Sequence, residues 1–226
     1  IPFGIATIAT ILEEAGHDVE LFVITPDTPL DEYIGTYIKN ERPPLFCFTA
    51  VSTQYDRIKR VAEYVKTIDE SIFLTLGGHH SSLNSEDVIN EGVFDAICVG
   101  EGENPVLSLT ELLSDTGSFS MSETPEKYEI NNLLFRDRLT GKVIKNPTGL
   151  FRQDLDSLPY MNRKLWDKWI HNPSDYPAIL LGRGCPFKCT YCSNHAMKAL
   201  AKGQYVRFRS PDSIIGEIKY IKDLYP

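Results

Sequence analysis

Three near-continuous apolar runs, "PLFCFTAV" (44–51), "SIFLTLGG" (71–78) and "FDAICVG" (94–100), alternate with stretches of helical spacing, and this alternation limits the fold more than any other feature. A strand that is apolar on both faces has to be covered on both faces, the condition of a parallel sheet flanked by helices. Helical spacing is read at 54–69, 84–92 and 104–115. Ahead of these, "IATIATILEEA" (5–15) sets Ile5, Ile8, Ile11 and Leu12 on one helical face, with a stop at Gly16. "DVELFVI" (18–24) has the composition of a further strand, and Thr28 with Pro29 predicts a helix start running to about Lys39.

The expected fold class is therefore α/β, an open parallel, Rossmann-like (flavodoxin-like) sheet over residues 1–114. Such sheets bind ligands beyond the carboxyl ends of their strands. The loops there, "AVSTQYD", "GGHHSSLNS" and "GEGENP", are rich in Gly, Ser, Thr and His. They supply the candidates Ser52, Thr53, Gln54, Gly77, Gly78, His79, His80, Gly100, Glu101, Gly102 and Glu103. Gly77 and Gly78 stand out, because a backbone without a side chain lets a bulky ligand approach closely.

Residues 115–176 change character. "DTGSFSMSETPEK" reads as a loose polar stretch, and "YEINNLLFRDRLTGKVIKNP" as a β-hairpin turning at Leu139–Lys142. "DLDSLPYMNRKLWDKWI" reads as a linker with one helix. A last segment, 177–226, opens with "PAILLGRG" as a strand, carries a cysteine loop, and closes with a helix. Ser210 is that helix's N-cap, Pro211 its first residue, and Ile214, Ile218 and Ile221 its apolar stripe. The chain starts at Ile1 in what reads as a helix already under way, so an internal piece of something longer is expected.

A net charge of −8 argues against general nucleic-acid binding, and no apolar stretch approaches the roughly 20 residues of a membrane span. Between Arg183 and Arg209 the balance reverses, with Lys and Arg but no Asp or Glu, as suits either an anion site or a solvated face. Cys47 and Cys98 stand alone in strand-like runs as small hydrophobes. This usage points to a reducing, cytoplasmic setting. Cys185, Cys189 and Cys192 instead crowd into "GRGCPFKCTYCS" with C-x3-C-x2-C spacing. Three thiolates can serve three irons of a cubane and leave the fourth open. Zinc held by the three with His195, or a redox pair at Cys189 and Cys192, are the competing readings.

This motif, with Tyr191 just before its last cysteine, resembles the signature of the radical S-adenosylmethionine enzymes. "YVRFRSPDSIIGEIKYI", "DLDSLPYMNR", "DAICVGEGENPVLSL" and "LTLGGHHSSLNSEDVI" are similar to the subgroup with an N-terminal cobalamin-binding domain. The resemblance implies a [4Fe–4S] cluster on Cys185, Cys189 and Cys192, S-adenosylmethionine on its open iron, and cobalamin at the carboxyl edge of the first sheet, with Tyr191 beside the cofactors. It implies a methyltransferase acting on an unactivated carbon through a 5′-deoxyadenosyl radical. A small-molecule substrate and a reductant such as flavodoxin or ferredoxin go with it. An oxidative cyclase of the magnesium-protoporphyrin monomethyl ester type is the alternative within the class, and a non-catalytic cobalamin-binding module with a zinc-stabilised tail the alternative outside it. Arg183, Arg207 and Arg209 are candidates for the anionic carboxylate. No D-x-H-x-x-G loop, whose histidine ligates cobalt in other cobalamin modules, occurs in the chain. Only the first strand, loop and helix of the radical enzymes' partial (β/α) barrel are expected within 177–226, so the chain by itself is expected to be inactive, with its cluster loop poorly ordered or metal-free.

Overall fold

The computed structural model describes residues 2–116, 125–170, 172 and 178–225. By its contacts the chain divides into two compact units: Ile24–Gly149 forms one, and Ile1–Val23 with Leu150–Pro226 the other. The loose polar reading at 117–124 and the junction at 176–177 lie outside the described residues.

In the first of these units the apolar runs become strands β1 (Leu45–Thr49), β2 (Phe73–Gly77) and β3 (Ala96–Cys98). They pair in parallel, with Thr49 beside Gly77 and Thr75 beside Ala96. The predicted hairpin forms as β4 (Leu133–Arg136) and β5 (Val143–Lys145), and β4 pairs antiparallel with β3. The result is one five-stranded sheet in the order β1-β2-β3-β4-β5. Asp137 makes the hairpin's turn, its Oδ1 accepting from the backbone of Leu139 (3.0 Å) and Thr140 (2.7 Å). Helices α3 (Tyr55–Ile68), α5 (Ser85–Asn90) and α6 (Glu103–Thr116) fall where the spacing predicts. Phe73, Ala96, Leu109, Leu112, Tyr128, Leu133 and Phe135 share one buried cluster. Each large side chain there contributes about 1.5–3 kcal/mol of burial.

An ion-pair knot lies at the amino edge of the sheet. Buried Asp95 accepts from Lys66 Nζ (2.9 Å), from the Arg138 guanidinium and from the Leu74 amide (2.7 Å). Arg138 also donates to the carbonyl of Ile72 at 2.8 Å.

Several expectations are corrected. Helix α1 spans Phe3–Glu14, but it buries Ala6, Thr7, Ala9, Thr10 and Leu12, and the isoleucines lie at the margin. The two buried threonines satisfy their hydroxyls within the helix, Thr7 and Thr10 bonding back to the carbonyls of Phe3 and Ala6. "DVELFVI" joins no sheet: Leu21 is buried with Ala6, Met161 and Trp166, and its carbonyl accepts the indole N–H of Trp169 at 3.1 Å. The helix expected from Thr28 begins with a wide π turn, Asp31–Gly35, and continues as α2 (Thr36–Glu41). Thr28 does not cap it; its hydroxyl accepts the amide of Thr25 at 2.8 Å. The linker helix shrinks to a 3-10 turn, Arg163–Trp166, capped by Asn162.

"PAILLGRG" yields only the short strand β6 (Gly182–Arg183), paired antiparallel with β7 (Arg207–Phe208). Helices α7 (Asn194–Leu200) and α8 (Pro211–Leu224) follow the cysteine loop and β7. The cap of α8 is as predicted, Ser210 Oγ accepting the amide of Ser213 at 3.1 Å. Its stripe holds only in part: Ile221 is buried and Ile214 half-buried, but Ile218 is 44% exposed and Glu217 is buried. Glu217 turns inward because Arg163 (3.1 Å) and Arg209 meet its carboxylate there.

Candidate functional site

The loops after β1, β2 and β3 meet at the carboxyl edge. A 3-10 turn, Ser52–Gln54, leaves β1 with all three side chains exposed. After β2 the chain passes Gly77 and Gly78 and enters a short helix, α4 (His79–Leu83), which the periodicity did not predict. Gly78 has φ +96°, and a Cβ there would sit 2.8 Å from Thr49 Oγ1 and 2.9 Å from the Ala50 carbonyl. Glycine is thus required by the close approach of β1's own end. A Cβ on Gly77 would meet only ordinary contacts, at 3.8 Å or more.

Two serines stitch the edge together. Ser82 Oγ donates to the Gly78 carbonyl (2.7 Å) and accepts the Gly100 amide (3.0 Å). Ser81 Oγ donates to the carbonyls of Gly78 (3.1 Å) and Cys98 (3.3 Å). Asn132, in the lead-in to β4, donates to the carbonyls of Val99 (2.8 Å) and Glu101 (3.2 Å) and so shapes the third loop. Sequence reasoning missed the role of all three. The serine pair two residues beyond the glycine pair was a usable signal; nothing local marked Asn132.

His80 Nδ1 lies 3.1 Å from Ser52 Oγ, and its ring stacks on Tyr55 with centroids 4.1 Å apart. Tyr55 in turn donates to Glu91 at 2.7 Å, and Lys59 meets the same carboxylate at 2.8 Å. Burial pulls the Glu91 carboxyl up, but the bonds from Lys59 and Tyr55 outweigh it and hold it below the usual carboxylate range.

The structure therefore brings Ser52 to His80, and Gly78 to Gly100. Thr53, Gln54 and His79 are exposed around them; Gly77, Glu101 and Gly102 are half-buried, and Glu103 is buried at the start of α6. Ser52 and Thr53 thus carry exposed hydroxyl side chains at this edge, while the Gly100 amide is taken up by Ser82.

In the other unit, Cys189 is exposed and Cys185 and Cys192 are half-buried. The Cys192 amide bonds the Cys189 carbonyl at 3.2 Å, a one-turn closure that the x2 spacing permits. Among the described residues no group of three or more His, Cys, Asp or Glu is gathered so as to hold a metal, the three thiols and His195 included. The donor set fits an iron–sulfur cluster by ligand type and by sharing one loop, and the sulfurs are not drawn together. Tyr191 is 91% exposed. Of the cationic candidates, Arg207 is buried, donating to Arg152 O at 2.7 Å and lying over the Phe151 ring, and Arg209 serves Glu217, Leu180 O and Ser213. Arg183 sits in β6 opposite Arg207. Cys47 and Cys98 are spent on packing: burial pushes both thiols up to about 12.

Comparison with known proteins agrees with this layout. The family model for the B12 binding domain matches residues 1–110. An uncharacterized methyltransferase of Pyrococcus horikoshii is 28% identical over 97% of the chain, and the anaerobic magnesium-protoporphyrin IX monomethyl ester cyclase of Rubrivivax gelatinosus 27% identical over 97%. The chain spans 45% and 39% of their lengths, less than half of each. The solved structure of the radical S-adenosylmethionine methyltransferase TsrM from Kitasatospora setae, with cobalamin and a [4Fe–4S] cluster bound, matches 99% of the chain and 44% of its own, with a TM-score of 0.70 at 17% identity. Among the described residues no helix is long and apolar enough to cross a membrane. Residues 1–110 thus match a B12 binding domain, and nearly the whole chain shares its fold with the solved TsrM structure.

Proposed function

We propose that the chain is part of a cobalamin-dependent radical S-adenosylmethionine methyltransferase that acts on an unactivated carbon of a small molecule. The observation that carries this reading is the conjunction, in one chain, of a B12 binding domain match over 1–110 and the C-x3-C-x2-C loop at Cys185, Cys189 and Cys192. When bound, the cluster with S-adenosylmethionine supplies a 5′-deoxyadenosyl radical, and cobalamin supplies the methyl group. The chain's own residues hold and orient. Ser52, Thr53, Gly77, Gly78, His79 and Gly100 to Glu103 line the cobalamin edge, with His80 braced beside them. The three thiolates ligate iron, and Tyr191 stands next to the last of them, available to the cofactors. A small reductant protein such as flavodoxin or ferredoxin delivers the electron.

Residues 1–114 are read as the cobalamin domain, 115–176 as the connecting segment and 177–226 as the start of the radical domain. Cyclisation of a tetrapyrrole is the second reading, favoured by the similarity to the Rubrivivax gelatinosus cyclase.

The test is anaerobic reconstitution of the full-length protein. About four irons and four sulfides per chain are expected, with hydroxocobalamin binding besides. A colourless protein carrying zinc would support a cobalamin module with a zinc-stabilised tail instead. Turnover with labelled S-adenosylmethionine then separates transfer of the labelled methyl group from cyclisation without it.

A further inference from the structure

The cysteine loop is tied down by a side-chain pair outside the ligand set. Asn194 opens α7 two residues after Cys192, and its Nδ2 donates to the carbonyls of Cys185 (3.2 Å) and Phe187 (3.3 Å). Its Oδ1 accepts the hydroxyl of Tyr205 at 2.7 Å. Tyr205 reaches the loop a second time through its backbone. Gly184, at φ +82°, lies so close to the Tyr205 carbonyl that a Cβ there would collide with it. One tyrosine therefore closes on the loop entrance directly and on its first turn through Asn194.

Asn194 is not a helix cap, since a cap's oxygen accepts from the helix's own amides. Here the oxygen takes a tyrosine hydroxyl and the amide group points back at the residues that carry the first thiol.

We propose that Asn194 and Tyr205 are positioning residues that set the backbone of the 185–192 loop before any metal arrives. The inference rests on Cys185, Cys189 and Cys192 being the cluster ligands. Ordering a free loop costs backbone entropy at every residue, so a loop held in advance binds metal at a smaller entropic cost. What remains on binding is rotation of the side chains to gather the sulfurs.

The test uses full-length protein with Asn194→Ala, Asn194→Asp and Tyr205→Phe. Aspartate keeps the acceptor for Tyr205 but has no donor for the two carbonyls, so it should behave as alanine does. Amide exchange over 187–192 in the metal-free protein should quicken about fivefold in both, and iron loss to a chelator from the reconstituted protein by a similar factor. Tyr205→Phe, which removes one oxygen, should show the same effects more weakly with thermal stability little changed, and it keeps the test open if the Asn194 variants unfold. Exchange and iron loss unchanged in the folded variants would overturn the proposal. Should the wild type take up no iron, the cluster assignment fails, while the exchange measurement still decides whether this pair orders the loop.

Discussion

The two classes of cysteine differ in what surrounds the sulfur. Cys98 is buried and Cys47 half-buried in its strand, and burial pushes both thiols up to about 12, so they stay protonated at neutral pH; Cys189 is exposed, and Cys185 and Cys192 are half-buried. Thiolate is the reacting species. Iodoacetamide at pH 8 should therefore label the three loop cysteines of the metal-free protein well before the two strand cysteines, read by peptide mass. Equal labelling of Cys47 would contradict the packing assigned to it. Gly78 gives a second test at this scale. Alanine at φ +96°, with its Cβ 2.8 Å from Thr49 Oγ1, should cost about 1–3 kcal/mol in urea unfolding. The glycine pair was visible in the sequence as a place where backbone comes close to something. What it comes close to, β1's own end, was not, because that depends on the register of two strands 28 residues apart, Thr49 beside Gly77.

Among the elements, α8 shows where pattern reading succeeds and where it fails. Its cap was legible because Ser-Pro at a helix start acts locally. Its buried face was legible only in part, because Glu217 is drawn inside by Arg163 and Arg209, which arrive from outside the helix. Removing one partner of a buried pair leaves charge uncompensated. Glu217→Ala should accordingly destabilise its unit by about 3–5 kcal/mol in thermal or denaturant unfolding. Helix entry has a pH dependence of its own. Both oxygens of Asp156 accept the Ser210 amide, at 3.0 and 3.2 Å, and hydrogen bonds from Ser210 hold its carboxyl below the ordinary value of 3.8. A depressed acid contributes stability above its unfolded pKa and loses it as pH falls through the folded one. The contribution should thus be full above about pH 5 and fade below pH 4, and Asp156→Asn should flatten that part of the acid unfolding curve. An acid limb unchanged in the variant would count against the bond. The hairpin makes the same point about locality. Its strands and its Thr-Gly turn were readable, whereas the pairing of β4 with β3 depends on a partner some 35 residues earlier, Leu133 opposite Cys98.

For the molecule as a whole, the strand–helix alternation was enough to give the class of fold and the edge that carries the candidate site. It could not show that "DVELFVI" would be drawn to Trp169 and Met161 and stay out of the sheet. Nor could it show that Asn132 would shape the loop running from Val99 to Glu101. Long-range contacts decide both. The central claim is that one chain combines a corrin edge with an iron–sulfur loop, and anaerobic spectroscopy of the reconstituted full-length protein tests it most directly. The account predicts a brown protein that bleaches on reduction, a cobalamin spectrum that shifts on binding, and loss of the iron absorbance alone when Cys189 is changed to alanine. Iron absorbance unaffected by Cys189→Ala, or a protein that carries zinc at the loop, would contradict it.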